Sequence, residues 1–181
     1  MATSTLTVST SFPEGHGDFK LISSDGVTFH FPRYLLCLMS PSFEGMFDVI
    51  GNDAQPQELN MVENSTTVDQ FLRFLDPRMK VLPLDFETVA PLLETARKYE
   101  VPKILEWWEE QVVVKVDGIA PDKTSLRKPM ACLALASRFD LPNTARLAFR
   151  DLVKAPSKDL ITDIRFESQL FCRLIQLREE R

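Results

Sequence analysis

The sequence predicts an α+β chain, with a short β-hairpin near the N-terminus and helices from there on. Three observations carry this. "DFKLISSDGVTFHFP", residues 18–32, alternates apolar and polar residues on either side of Asp25-Gly26. After it, apolar residues recur at i, i+3, i+4, i+7. A heptapeptide, "ARKYEVP" at 96–102, returns as "ASRFDLP" at 136–142, each time between two helical stripes.

The hairpin follows from its turn. Phe19 and Leu21 alternate on one arm, and Val27, Phe29 and Phe31 on the other. Asp-Gly between such runs supplies the positive φ a tight turn needs. Residues 1–16, polar and rich in Ser and Thr, read as a flexible lead-in. "RYLLCLMS" is a short apolar helix. Ser40-Pro41 stops it and starts the next, since Ser caps and Pro fits a first helical position. That next helix carries Phe43, Met46, Phe47 and Ile50. "ELNMVE" alternates at Leu59 and Met61 as a further strand would, and Val68, Phe71, Leu72 and Leu75 stripe a helix that Asp76-Pro77 ends.

The repeated heptapeptide encodes a joint. Phe86, Val89, Leu93 and Ala96 stripe one helix, and Ile104, Leu105, Trp108 and Val112 the next. A residue before proline is pushed out of the α region, so Val101 breaks the helix and Pro102 opens the new one. "FDLP" joins a helix with Leu133, Ala136 and Phe139 to one with Ala145, Ala148, Phe149 and Leu152. Either the two hairpins share joint chemistry and nothing more, or they stack as successive pairs of one helical layer. Phe166, Leu170, Leu174 and Leu177 mark a final amphipathic helix. "VDGIAPDKTS", residues 116–125, is the expected boundary, giving a flexible segment 1–16, a domain 17–116 and a helical extension 117–181.

Composition narrows the function. A net charge of −5 argues against a nucleic-acid surface, which needs clustered Lys and Arg. The three cysteines are widely separated and lack metal-ligand spacing, which points to a reducing, intracellular setting, cytoplasm or nucleus. No run approaches the ~18 apolar residues of a membrane span, and "MATSTLTVST" is not a secretory signal. Catalytic constellations are missing from the pattern. His16 falls in the lead-in and His30 on the polar phase of a strand, neither with a cysteine or carboxylate at ligand or triad spacing. No phosphate-binding glycine loop, zinc-protease motif or nucleophile elbow is present. Trp107-Trp108 can form an aromatic platform, but Trp108 lies on the apolar stripe and belongs to the core. Asn64-Ser65-Thr66 is a glycosylation sequon, relevant only to a secreted chain.

"GDFKLISSDGVTFHFPRYLLCLMSPSFEGMF", then "VDQFLRFLDP" and "LLETARKYEVPKILEWWEEQV", resembles the BTB/POZ domain over roughly residues 17–114. "ASRFDLPNTARLAF" is similar to the helical tail of short fungal members. The resemblance implies an α/β cluster, a small sheet capped by helices, followed by a helical C-terminal extension. It implies a non-catalytic protein–protein interaction module that homodimerises and acts as adaptor or scaffold; an enzyme with an unrecognised site is the remote alternative, and the absence of ligand spacing among the three cysteines and two histidines leads to the expectation of no cofactor or metal. The alternative it carries is a substrate adaptor of a cullin-type ubiquitin ligase. Residue by residue, Asp18 and Arg33 correspond to a pair near the dimer cleft. Asp18, Phe19, Arg33, Tyr34, Leu35, Leu38 and Met39 form the expected dimer interface, although Tyr34, Leu35, Leu38 and Met39 read equally well as core. Two departures stand out. Pro32 takes the place of the family's histidine before the first helix. "LDPR" replaces a Tyr-rich strand in the neighbourhood that cullin-binding members use. "MVE", Met61–Glu63, is the nearest thing to a hydrophobic-x-Glu cullin motif.

Overall fold

The computed structural model describes residues 7–50, 58–82, 86–117 and 129–154. The chain divides into two compact units, Met1–Ile104 and Leu105–Arg181.

The first unit is built on a four-stranded mixed sheet of order β1-β3-β2-β4. Strands β2 (Phe19–Ile22) and β3 (Val27–Phe31) form the predicted antiparallel hairpin, with Phe19 opposite Phe31 and Leu21 opposite Phe29. Gly26 sits in the turn at a φ of 82°, a conformation in which a side chain would be strained. Strand β4 (Glu58–Asn60) is the further strand expected at "ELNMVE", and it pairs parallel to β2. Phe19, Leu21, Phe29 and Phe31 are buried, as alternation requires. His30 and Thr28, on the polar phase, are buried as well. The expectation of a surface His30 is therefore corrected: both faces of β3 are buried, Thr28 and His30 on one and Phe29 and Phe31 on the other, and alternation reports exposure only where one face meets water.

A second correction concerns the lead-in. Thr7–Val8 form strand β1, parallel to β3, and Phe12 is fully buried. Residues 7–16 are thus part of the fold. The signal was one aromatic residue in a polar stretch, which composition averages away.

Helix α1 (Arg33–Met39) ends at Ser40, and α2 (Pro41–Ile50) starts at once. The Ser40 hydroxyl accepts from the Phe43 amide at 3.2 Å and donates to the Tyr99 carbonyl. Helix α3 (Ser65–Leu75) is capped by Asn64, whose side-chain oxygen accepts from the Thr67 amide at 2.9 Å. The sequon asparagine is therefore a helix cap. Asp25 welds the hairpin turn to the same helix end, accepting from the Ser65 amide at 2.8 Å and hydroxyl at 2.6 Å. Helix α4 (Phe86–Lys98) buries Val89, Leu92, Leu93 and Ala96. Helix α5 (Pro102–Asp117) begins at the proline of "YEVP".

The second unit takes α5 from Leu105 onward, with α6 (Pro129–Phe139) and α7 (Pro142–Lys154). Trp108, Leu133, Ala136, Phe139, Ala148 and Leu152 are buried in it. Phe149, expected on the apolar stripe, is only half-buried, and Leu147 takes the buried place instead. The Glu109 carboxylate accepts from the Asn143 amide at 2.7 Å, the Thr144 amide at 3.0 Å and the Thr144 hydroxyl at 2.6 Å. It fastens α5 to the N-terminus of α7, where orphan amides and the helix dipole favour a negative charge. The predicted linker from 118 and the final helix Phe166–Leu177 lie outside the described residues.

Candidate interaction surface

Helix α1 is only seven residues long and has no side-chain cap of its own, because its cap position is Pro32. Asp18, fifteen residues upstream, supplies the missing acceptor: its Oδ1 takes a hydrogen bond from the Arg33 amide at 2.9 Å. The predicted Asp18–Arg33 pair is thus joined through the backbone of Arg33. The Arg33 guanidinium lies over the Phe47 ring of α2, 4.0 Å from its centroid, and Phe47 packs edge-on against Phe19 at 5.0 Å. Asp18, Phe19 and Arg33 therefore fix the start of α1.

The rest of α1 is sorted by its own periodicity. Leu35 and Leu36 point into the core, at 6% and 0% exposure. Tyr34 and Leu38, one turn apart on the same face, are 66% and 73% exposed. Met39 is half-buried. Of the seven residues expected at an interface, Phe19 and Leu35 are core, Asp18 and Arg33 hold the helix in place, and Tyr34 and Leu38, with part of Met39, face outward. Sequence alone left α1 undivided because its six successive apolar residues, Tyr34 to Met39, fit either assignment.

Beside this face stands a polar cluster the sequence did not reveal. The buried Asp76 carboxylate accepts from Arg78 at 2.9 and 2.7 Å and lies 3.1 Å from His16 Nε2. The Arg78 hydrogen bond, first of all, holds Asp76 well below the usual carboxylate range, with the Arg78 amide and His16 adding to it. The Asp76 carboxylate in turn raises Arg78 above its ordinary value, and the Tyr34 phenol adds to that effect. His16 and Asp76 are sixty residues apart, a separation no local spacing rule reaches.

Val49 and Val62 are two more exposed apolar residues, at 88% and 77%. Among the described residues, the large apolar side chains that stand exposed, Val8, Tyr34, Leu38, Val49, Val62 and Leu82, belong to the first unit. In the "MVE" stretch the exposed side chain is the middle one, Val62. Met61 is 4% exposed, and Glu63 is held by Lys98 at 2.8 Å.

Among the described residues, no group of three His, Cys, Asp or Glu side chains is placed to hold a metal ion. No described helix is long and apolar enough to cross a membrane. The first unit thus combines a small mixed sheet and its helices with an outward apolar face on α1. The model of the BTB/POZ domain family matches residues 13–115, more than half of the chain, and the chain belongs to that family. BTB/POZ domains are non-catalytic protein–protein interaction modules that mediate self-association and the binding of other proteins. A comparison with curated proteins gave no match.

Proposed function

We propose that this chain is a homodimeric adaptor or scaffold whose two copies meet through α1. The observation that carries the reading is the exposure of Tyr34 and Leu38 on a helix whose other face is core. Covering two such side chains is worth ~1.5–3 kcal/mol each. In this reading Met39 completes the contact, while Asp18 and Arg33 set the helix at the angle the contact needs. The BTB/POZ domain spans about residues 17–116, and the helical extension 117–181 stabilises it or engages a second protein. An intracellular setting, cytoplasm or nucleus, fits three cysteines without disulfide or metal spacing. The ubiquitin-ligase reading is the weaker one, because Met61 and Glu63 are spent inside the fold.

Light scattering tests this. The chain should show twice its 20.7 kDa mass at micromolar concentration. Leu38→Asp with Tyr34→Asp should return a folded monomer. A monomeric wild type, or a dimer that survives both substitutions, would remove the reading.

A further inference from the structure

Residues 7–16 dock on the first unit in the manner of a bound peptide. Their backbone runs along the edge of β3 that β2 leaves open, with Thr7 N–H to Gly26 O at 3.3 Å, Ser9 N–H to Thr28 O at 2.8 Å and His30 N–H to Phe12 O at 3.0 Å. One side chain is the anchor. Phe12 is 0% exposed, against Phe31 at 5.6 Å and Phe29 at 6.3 Å, whereas Thr10, Pro13 and Glu14 face solvent. Two polar clasps flank it. Arg73 Nη2 donates to the Ser11 hydroxyl at 2.6 Å, and His16 meets Asp76 at 3.1 Å.

The seat does not depend on its occupant for charge balance. Without the segment, Asp76 keeps Arg78, and Arg73 keeps Asp69 at 2.6 Å. What would be left bare is a sheet edge and an aromatic pocket. An open edge is a template for another strand, and pockets beside it select side chains. The exit of the segment is fixed. A Cβ at Gly17 would lie 2.0 Å from the Phe31 carbonyl carbon, so the chain passes that point only as glycine.

We propose that this seat, along β3 and the C-terminal end of α3, is a peptide-docking groove whose resting occupant is the chain's own residues 7–16. Its external ligand is an extended segment of another protein that presents a phenylalanine preceded by a small hydroxyl residue. The tethered copy holds the groove at a high effective concentration, so an outside segment binds only when the tethered one lets go. This goes beyond self-association through α1 and holds whether or not the chain dimerises.

The probe is a fluorescent peptide of residues 7–16, TVSTSFPEGH, measured by anisotropy against the full chain and its Phe12→Ala variant. The variant should bind the peptide at least tenfold tighter than the wild type, and a peptide with alanine for phenylalanine should bind neither. A folded variant that fails to bind, or equal binding to both chains, would overturn the proposal. Should Phe12→Ala not fold, hydrogen exchange on the wild type decides. The Ser9 and His30 amides should exchange at least tenfold faster than the Met61 amide, which bonds to Ile22 O in the sheet. Equal rates would mean that the segment opens only with the whole unit, and the groove reading would fall.

Discussion

Glu100 and Asp140, forty residues apart, share one unusual backbone conformation, left-handed with φ of 54° and 55°. Each ends a helix, and each is followed by an apolar residue whose amide reaches back to an alanine. Val101 N–H bonds to Ala96 O at 2.8 Å, and Leu141 N–H to Ala136 O at 2.9 Å. This six-to-one bond across a left-handed residue is a Schellman ending. The repeated heptapeptide thus writes one structural device twice. The turn comes one residue before the position the proline rule indicates, because Glu100 and Asp140 absorb the reversal.

Glycine is the usual residue for that conformation, and an L side chain there is strained. Asp140→Gly should therefore stabilise the chain by about 0.5–1 kcal/mol, read as a raised midpoint in urea. Glu100→Gly should gain less, because Glu100 also accepts a hydrogen bond from the Ser42 hydroxyl at 2.9 Å. A loss of stability in Asp140→Gly would show that the carboxylate has a contact worth more than the strain.

Trp108 is 5% exposed, and its indole nitrogen is buried without a hydrogen-bond partner. Its contribution is therefore apolar packing, and Trp108→Ala should cost about 3–5 kcal/mol. Trp108→Phe, which keeps the ring and removes the orphan N–H, should cost far less. Equal losses in the two variants would point to a polar role for the indole.

Much of this was legible from pattern and some was not. The stripe of α3, the Asp25-Gly26 turn and the Ser40-Pro41 restart depend on neighbours within a few residues, and the structure follows them, whereas the stripe of α7 holds only in part, with Phe149 half-buried. The burial of Phe12 and the His16–Asp76 contact depend on partners that the fold brings from far along the chain. The division of α1 into Leu35 inside and Leu38 outside needed the positions of α2 and α3, against which α1 packs, since both residues are leucine on one short helix. The BTB/POZ resemblance supplied the class because it matches the order of elements, not a local period.

Asp76 makes stability depend on pH. Its carboxyl group is held below its ordinary value by Arg78 first, so the ionised form is favoured in the folded chain. A depressed folded-state pKa contributes stability that is complete above the unfolded value, near pH ~4, and is lost as the pH falls below it. Asp76→Asn should therefore cost about 2 kcal/mol at neutral pH, in the range of a hydrogen bond to a charged group. The gap between variant and wild type should narrow on acidification. Melts at pH 7 and pH 3 check this, and a gap that stays constant would mean Asp76 acts through shape alone.

The dependence of α7 on α5 gives the last expectation. An amphipathic hairpin has one apolar stripe that it cannot bury alone, and α6 with α7 is too short for an independent core. Within the second unit the missing support is α5, through Trp108 in the core and Glu109 at the head of α7. Three donors converge on the Glu109 carboxylate, so Glu109→Ala should cost about 1–2 kcal/mol, as loss of a helix cap does. Glu109→Gln, which keeps one acceptor oxygen, should recover part of it. A fragment of residues 118–181 has lost both residues and should not unfold cooperatively, whereas one beginning at Leu105 retains them. Circular dichroism melts of the two fragments make the comparison. A cooperative transition in the shorter fragment would mean that α6 and α7 find their burial elsewhere, and that the Glu109 bonds merely decorate a hairpin already stable by itself.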